Sequence, residues 1–291
     1  MLYKDVLNKW LEIKGLEIRK SSVQNYLQCT NNWIIPSLGN VPIQNIKRDD
    51  LQNFILDFAS NHKHNTVINI TKPLFGSFKW AGENNFIDIN PCKGVKIPKD
   101  FSEKEINVFS PDEIKRILEA ANGYKKDMVL LGYRTGMRIG EILVLKWEDV
   151  NFDGGFLTVR RTLSGYGNNG FEITEPKTKK SQRRIDLDKA TLEMLNNRHA
   201  GKGIYVFSKR DGGIYSRQAI NLPKICKSVG LKPRSFHVLR HTHATILLSA
   251  GVHPKIVQER LGHAKISTTL DTYSHLIPGM QNAAVEVFNN I

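Results

Sequence analysis

Residues 236–273 read FHVLRHTHATILLSAGVHPKIVQERLGHAKISTTLDTY, and this stretch is the most informative part of the chain. Apolar residues at helical spacing predict a helix from Phe236 to Ala250 that ends at Gly251. A second, shorter helix is expected to end at Gly262, because glycine is the usual residue just past a helix C-terminus. The stretch therefore predicts two consecutive helices joined by a short loop.

His237 and Arg240 are the first pair in this stretch with a chemical use. They are three residues apart, so a helix projects them from one face, where an imidazole beside a guanidinium can bind a phosphate and transfer a proton. The apolar residues on the other side are expected to be core: Leu239, Ile246 and Ala250. The pattern H-x-x-R alone is common by chance. A metal site built from the clustered histidines stays an alternative, although no Asp, Glu or Cys lies nearby to complete it.

Arg138 is the next candidate. It follows Gly136 at a predicted helix start, where a guanidinium can form two hydrogen bonds to phosphate oxygens and the helix N-terminus adds positive potential. Glu141 is placed to hold this guanidinium through an i,i+3 pair. Taken alone, an arginine in this position is more commonly an ordinary surface or ion-paired residue.

Lys177 and Tyr273 are the remaining candidates. Lys177 lies in the basic segment PKTKKS, residues 176–181, for which a solvated turn is the simpler interpretation. A lysine crowded by other cations has a lowered pKa and can donate a proton. Tyr273 follows His263 by ten residues. A phenol, with a pKa of about 10, becomes a useful nucleophile when guanidinium and imidazole groups surround it.

In their order and local motifs these residues resemble the tyrosine recombinase family, the integrases of phages and mobile elements. The matching motifs are TGMRIGE, PKT, HVLRH, LGH and the late tyrosine. The resemblance implies Tyr273 as the nucleophile and Lys177 as the proton donor to the leaving 5′ oxygen, with Lys179 and Lys180 as rivals. It implies six residues around one phosphate: Arg138, Lys177, His237, Arg240, His263 and Tyr273. We expect no metal and no cofactor, because two arginines would supply the positive charge that metal ions supply elsewhere.

The charge of the chain agrees with a nucleic-acid partner. Its 291 residues carry a formal net charge of +14, and the pI is near 9.6. Such a basic excess favours a polyanion such as nucleic acid, and the resemblance implies double-stranded DNA as the partner. Three widely spaced cysteines argue against a disulfide framework and a thiolate zinc site. Because no signal peptide and no long apolar run is present, we expect a cytoplasmic protein without a membrane partner.

Three segments are predicted along the chain. Residues 1–90 read as four short helices, the second of which ends before Pro36, and the resemblance implies a DNA-contacting core-binding domain. Residues 91–108 carry few apolar side chains and are expected to be a linker. Residues 109–291 are the expected catalytic domain, which begins with a capping box at Ser110.

The expected catalytic domain is mostly helical with one β insertion. Further helices are predicted around Lys189 and Ser216. The insertion comprises a strand over 156–163, a turn over 165–170, and strands over 171–174 and 184–187. The fold class is therefore mainly α with a small β-sheet: a helical N-terminal domain and an α+β domain of the tyrosine-recombinase type.

The resemblance implies site-specific recombination through a covalent 3′-phosphotyrosine, for integration or excision of a phage or mobile element. In the family a C-terminal tail, here from Pro278, docks on a neighbouring protomer, so we expect a homo-tetramer on paired DNA sites. Three alternatives stay open. They are a chromosome-dimer resolvase of the same family, a catalytically inactive DNA-binding regulator, and a nicking-closing topoisomerase.

Overall fold

The computed structural model of the protein describes residues 1–100, 107–165, 171–174, 182–199 and 203–267. The chain separates into two units, Met1–Lys104 and Glu105–Ile291, each with its own hydrophobic core. Both units are mainly helical, and the strands that the structure describes all lie in the second. The predicted fold class, mainly α with a small amount of β-sheet, is confirmed.

The first unit is a bundle of helices around one apolar core. Tyr3 lies at its centre, where its ring stacks on Phe78 at 4.5 Å between centroids and its hydroxyl shares a hydrogen bond with Ser77 Oγ at 2.8 Å. That bond satisfies a polar group that would otherwise be costly to bury. The helices are α1 (Tyr3–Glu17), α2 (Lys20–Cys29), α3 (Ile35–Leu38), α4 (Arg48–Asn61) and α5 (His64–Glu83).

The second helix was predicted to end before Pro36 and Gly39, and α2 itself ends at Cys29. The helical path continues from α2 through a π-helical turn, Thr30–Ile34, into α3, which ends at Leu38. Pro36, the second residue of α3, has no N–H to donate, and the π-helical turn directly before it is where the regular α-helical hydrogen-bond pattern is interrupted.

The segment predicted as a linker, residues 91–108, begins with residues that pack on the first unit. Cys92, Val95 and Ile97 contact the apolar core of that unit. The side chain of Gln52 also fixes the backbone of Lys96, accepting from its N–H at 2.8 Å and donating to its carbonyl at 3.0 Å. Residues 92–97 are thus part of the first unit's packing.

The second unit begins with the capping box predicted from the sequence. Ser110 Oγ accepts from the N–H of Glu113 at 3.2 Å, and the Glu113 carboxylate accepts from the N–H of Ser110 at 2.9 Å. The helix expected around Ser216 is a 3-10 turn, Arg217–Ala219, ahead of a short helix. The helices are α6 (Pro111–Ala120), α7 (Tyr124–Thr135), α8 (Ile139–Ile142), α9 (Lys189–His199), α10 (Leu222–Ser228), α11 (His237–Ser249) and α12 (Pro254–Leu261).

Two small antiparallel sheets form the β insertion. One has the strand order β1-β2-β5, and the other pairs β3 with β4. The strands are β1 (Val150–Asn151), β2 (Phe156–Val159), β3 (Thr162–Ser164), β4 (Glu172–Thr174) and β5 (Arg183–Asp186). The predicted turn lies mostly outside the described residues, which resume at residue 171.

The single strand predicted over 156–163 is wrong, because the structure divides it between two sheets. Arg160 and Arg161 occupy the break, and both reach the buried carboxylate of Asp149, at 3.5 Å and 2.7 Å. Consecutive side chains of a regular strand point to opposite faces, so two neighbours cannot reach one group without a bend in the backbone. Among the described residues, no helix is long and apolar enough to cross a membrane.

Candidate active site

Helix α11 carries two of the candidate residues, and its orientation differs from the prediction. Leu239 is buried as expected, but Ile246 is 41% exposed and Ala250 is exposed as well. The helix instead turns Arg240 and His243 into the protein, together with Ala244 and Leu248. The apolar pattern failed here because these two polar side chains find hydrogen-bond acceptors inside the fold.

Arg240, expected on a polar face, is 2% exposed. Its Nη1 donates to the carbonyl of Gly136 at 2.9 Å, and its Nη2 donates to the carbonyl of Leu261 at 2.7 Å. Burying a charge is costly unless such bonds compensate it. Gly136 lies two residues before Arg138, and Leu261 lies two before His263. The guanidinium of Arg240 therefore joins the segments that carry two other candidates.

Gly136 makes this close packing possible. Its φ of +67° lies in the left-handed region, which glycine adopts without strain. A Cβ at this position would lie 2.6 Å from Leu261 Cδ2 and 2.8 Å from His243 Cδ2. The end of α7 can therefore approach α11 and α12 only without a side chain at residue 136.

Arg138 is the N-cap residue of α8, and its predicted pair with Glu141 is confirmed. Its Nη1 donates to Glu141 Oε1 at 2.9 Å, and its backbone N–H donates to Oε2 at 2.9 Å. The side chain of Arg138 is 38% exposed, whereas that of Glu141 is 2% exposed. The expected helix-terminus potential is weak, because α8 is a single turn of four residues. Glu141 therefore orients a guanidinium that stays accessible to a ligand.

Arg183, to which the sequence gave no role, binds the same carboxylate. From β5 its Nη1 and Nη2 donate to the two oxygens of Glu141 at 3.2 Å and 2.9 Å, and its Nε donates to the carbonyl of Arg260 at 2.7 Å. The signal that could have identified it is the alternation of the strand. Arg183 shares the inward face with Ile185, and a charged residue at an inward strand position calls for a partner.

The carboxylate of Glu141 is ionised at neutral pH. Burial alone would raise its pKa, but the charges of Arg183, Arg138 and Arg240 hold the pKa at about 2. Three guanidinium groups around one carboxylate leave an excess of two positive charges. This excess makes the cluster an anion site, and the mixed donors fit phosphate oxygens.

His237 and His263 are both neutral at pH 7. Partial removal from water lowers the pKa of His263 to about 3, assisted by the charges of Arg240 and Arg138. Removal from water and its neighbours His241 and Arg240 likewise lower the pKa of His237. The charges of Arg138 and Arg240 act on both imidazoles, so the four groups lie within electrostatic range of one another. A neutral imidazole can accept a proton or donate a hydrogen bond.

His241 and His243, the two histidines of α11 that were assigned no role from the sequence, each contact a neighbouring group. The His241 ring lies edge-on to the His237 ring, with 4.7 Å between centroids. His243 Nε2 accepts from Arg260 Nε at 3.1 Å, so its Nδ1–H donates to the carbonyl of Tyr133 at 2.9 Å. Within the residues that the structure describes, no three His, Cys, Asp or Glu side chains are grouped to hold a metal ion.

The structure thus brings together four of the six predicted residues: Arg138, His237, Arg240 and His263. Lys177 and Tyr273 lie outside the described residues, as do the rival lysines 179 and 180 and the tail from Pro278. The predicted C-cap at Gly262 is confirmed by a left-handed φ of +68° at the end of α12.

Comparison with known proteins supports the same interpretation. Residues 107–279 match the phage integrase family, and residues 2–58 match the phage integrase N-terminal SAM-like domain. A tyrosine recombinase XerC-like protein of Caldanaerobacter subterraneus is 32% identical over 99% of this chain and 82% of its own length. The ICEBs1 integrase of Bacillus subtilis is 26% identical over 99% of this chain and 83% of its own length.

Solved structures share the fold. The Tn1549 transposon integrase in complex with a circular intermediate DNA is 21% identical, with a TM-score of 0.84 over 99% of both chains. A lambda integrase tetramer bound to a Holliday junction is 20% identical, with a TM-score of 0.76 over 92% of this chain and 79% of that one. With a family match over more than half of its length, the chain belongs to the phage integrase family of tyrosine recombinases, the site-specific enzymes that cut and rejoin DNA.

Proposed function

We propose that this protein recombines DNA at specific sites through a covalent 3′-phosphotyrosine at Tyr273, and that it integrates or excises a phage or other mobile element. The observation that carries the proposal is the convergence of Arg138, Arg240, His237 and His263 from three separate segments onto one site with excess positive charge. Phosphoryl transfer needs such charge on the non-bridging oxygens, which become more negative in the transition state.

The two arginines divide this task. Arg138 is partly exposed and held by Glu141, so it would bind a phosphate oxygen directly. Arg240 is buried with a fixed orientation, so its charge acts in a region of low dielectric, where it is worth more than in water. Both are oriented before DNA binds, which limits reorganisation during the reaction.

The remaining groups would move protons. The Tyr273 oxygen attacks phosphorus as its proton passes to a neutral imidazole, His237 or His263. The bond from phosphorus to the 5′ oxygen then breaks, and that oxygen takes a proton from Lys177. Rejoining reverses these steps. The phosphotyrosyl ester retains the energy of the broken bond, so the cycle needs no nucleotide cofactor.

The two units and the assembly follow from the same proposal. The helical unit would be the core-binding domain and the second unit the catalytic domain, together contacting double-stranded DNA mainly through phosphates. A homo-tetramer on paired sites is proposed, with the tail from Pro278 docked on a neighbouring protomer. The shared fold with a lambda integrase that forms a tetramer on a Holliday junction supports this assembly.

Relatives favour integration and also name a second candidate. Two relatives, each 26% identical, are named as an integrase and as the transposase of a transposon: the ICEBs1 integrase and the Tn916 transposase of Enterococcus faecalis. Resolution of chromosome dimers is the second candidate, because relatives named XerC-like and XerD also match, at 32% and 30% identity. The DNA on which the protein is trapped separates the two. An element boundary supports integration, and a single fixed chromosomal site supports resolution.

Covalent trapping tests the proposal. Cells expressing the wild-type chain are lysed in denaturant, and the DNA linked to the protein is sequenced and then rebuilt as a nicked duplex. We expect an adduct with wild-type protein and none with Tyr273→Phe, which should still bind DNA through its phosphate contacts. Tyr215→Phe is the matched control, because its ring stacks on Tyr124 and needs no hydroxyl for that contact. A covalent adduct formed by Tyr273→Phe would show that another residue is the nucleophile. DNA binding by the wild-type protein without any covalent adduct would favour a catalytically inactive regulator.

A further inference from the structure

The carboxylate of Glu141 is shared by two arginines, and both of its oxygens are used twice. Oε1 accepts from Arg138 Nη1 at 2.9 Å and from Arg183 Nη1 at 3.2 Å. Oε2 accepts from the backbone N–H of Arg138 at 2.9 Å and from Arg183 Nη2 at 2.9 Å. The fork of Arg183 thus fixes the plane of the carboxylate, and the carboxylate fixes Arg138.

Arg183 also holds the segment before His263. Its Nε donates to the carbonyl of Arg260 at 2.7 Å. Its side chain lies against Gly262, where an added Cβ would be 3.0 Å from Arg183 Cδ. Because His263 follows directly, this contact limits where its imidazole can lie. The buried side chain of Arg183 therefore contacts both the carboxylate that holds Arg138 and the backbone that precedes His263.

We propose that Arg183 is a positioning residue for DNA cleavage, an inference that rests on the proposed function. It orients Arg138 through Glu141, and it orients His263 through the backbone of Arg260 and Gly262. Arg183 is 5% exposed in its side chain, compared with 38% for Arg138. Arg183 is therefore too buried to contact the phosphate, which Arg138 would bind instead.

The two partners of Arg183 require an arginine. Its planar guanidinium spans both oxygens of Glu141 while Nε donates sideways to a carbonyl. Lysine offers one compact ammonium, which keeps the charge but cannot span these acceptors. Arg183→Lys therefore tests geometry with little change in charge. Misplacing a reacting group by about 1 Å can cost about a hundredfold in rate, so we expect cleavage to slow by about tenfold to a hundredfold.

The neighbouring residue supplies a matched control. Arg184 follows in the same strand but points outward, with 58% of its side chain exposed, where it pairs with Asp186 at 2.8 Å. Arg184→Lys is the same chemical change one position away. Single-turnover cleavage of the nicked duplex recovered by trapping is measured for both variants, together with DNA affinity and the melting temperature. We expect Arg184→Lys to stay within about twofold of wild type.

A double-mutant cycle separates positioning from stability. If Arg183 acts largely through Arg138, then Arg183→Lys should slow cleavage much less in an Arg138→Lys background than in the wild type. Equal loss in both backgrounds would overturn the orientation of Arg138 by Arg183. A cleavage rate that falls only in proportion to the folded fraction of the protein would overturn the assignment as a whole. Should the lysine variant not fold, Arg183→Gln enters the same cycle with the same expectation.

The proposed function and this assignment fail in different ways. If neither wild type nor Arg184→Lys forms an adduct, the proposed function is wrong and the assignment falls with it. If both cleave and Arg183→Lys cleaves equally fast, only the role of Arg183 is wrong.

Discussion

Replacing Glu141 with glutamine should destabilise the second unit by about 3 kcal/mol at pH 7. The substitution keeps the size of the side chain but removes the negative charge that Arg138, Arg183 and Arg240 surround. Burial opposes that charge and the arginines favour it, with a net pKa lowered from 4.5 to about 2. At about 1.36 kcal/mol per pKa unit, this difference corresponds to about 3 kcal/mol. Breaking one side of a buried ion pair costs a similar amount, about 3–5 kcal/mol.

The dependence on pH has a definite sign. A carboxylate with a lowered pKa stabilises the folded state fully above its unfolded pKa of about 4.5, and this contribution disappears as the pH falls towards 2. The stability difference between wild type and Glu141→Gln should therefore be constant between pH 6 and 7. It should be roughly 1 kcal/mol smaller at pH 3.5 than at pH 7, and it should vanish below both pKa values.

Urea unfolding at pH 7 and pH 3.5 measures this difference, with thermal melting as a second probe. At about 2–4 °C per kcal/mol for a unit of this size, the melting temperature at pH 7 should fall by about 6–12 °C. Glu119→Gln, at an exposed position of α6, is the control and should change stability by less than about 0.5 kcal/mol. A loss below about 1 kcal/mol for Glu141→Gln, or a loss that does not shrink in acid, would refute the charge-based argument.

Two further predictions concern the reaction. Lys177→Ala should be slow on ordinary DNA but recover on a 5′-bridging phosphorothiolate, whose sulfur leaves without a proton, whereas Arg240→Ala should lose about a hundredfold or more on both substrates. Gels of single-turnover cleavage measure this, and equal recovery of both variants would pass the proton-donor role to Lys179 or Lys180. Cleavage should also proceed in excess EDTA, because arginines supply the charge at the phosphate. Loss of single-turnover cleavage in EDTA that a divalent metal restores would instead favour the histidine-cluster metal site.

Local sequence signals predicted the parts of the site that depend on local geometry. The pair of Arg138 and Glu141 and the cap at Gly262 each involve residues within one turn of backbone, so spacing alone specified them. The capping box at Ser110 belongs to the same class. The order of the motifs then identified the family, which the charge of the chain supports but could not name.

Features that depend on distant partners escaped prediction. Arg240 was expected on a polar face, but it is buried against two backbone carbonyls, those of Gly136 and Leu261. Every residue has a backbone carbonyl, so the sequence does not indicate which ones will accept from a buried arginine. The role of Arg183 was missed for the same reason, since Glu141 lies 42 positions away in sequence. At the break between β2 and β3, two consecutive arginines pair with one carboxylate, that of Asp149, a contact that the strand pattern does not predict.

The bonds of Arg240 also determine when during synthesis the site can exist. Its guanidinium joins a carbonyl 104 positions earlier in the chain to one 21 positions later. Loops of this length close late, because the entropy of closure is lost before the contact stabilises anything. A growing chain made from its N-terminus has Arg138 long before it has Leu261. A product that ends before Leu261 therefore has Arg138 and Arg240 but lacks one of the two carbonyls that fix the Arg240 guanidinium, so the site can assemble only after most of the chain has been made.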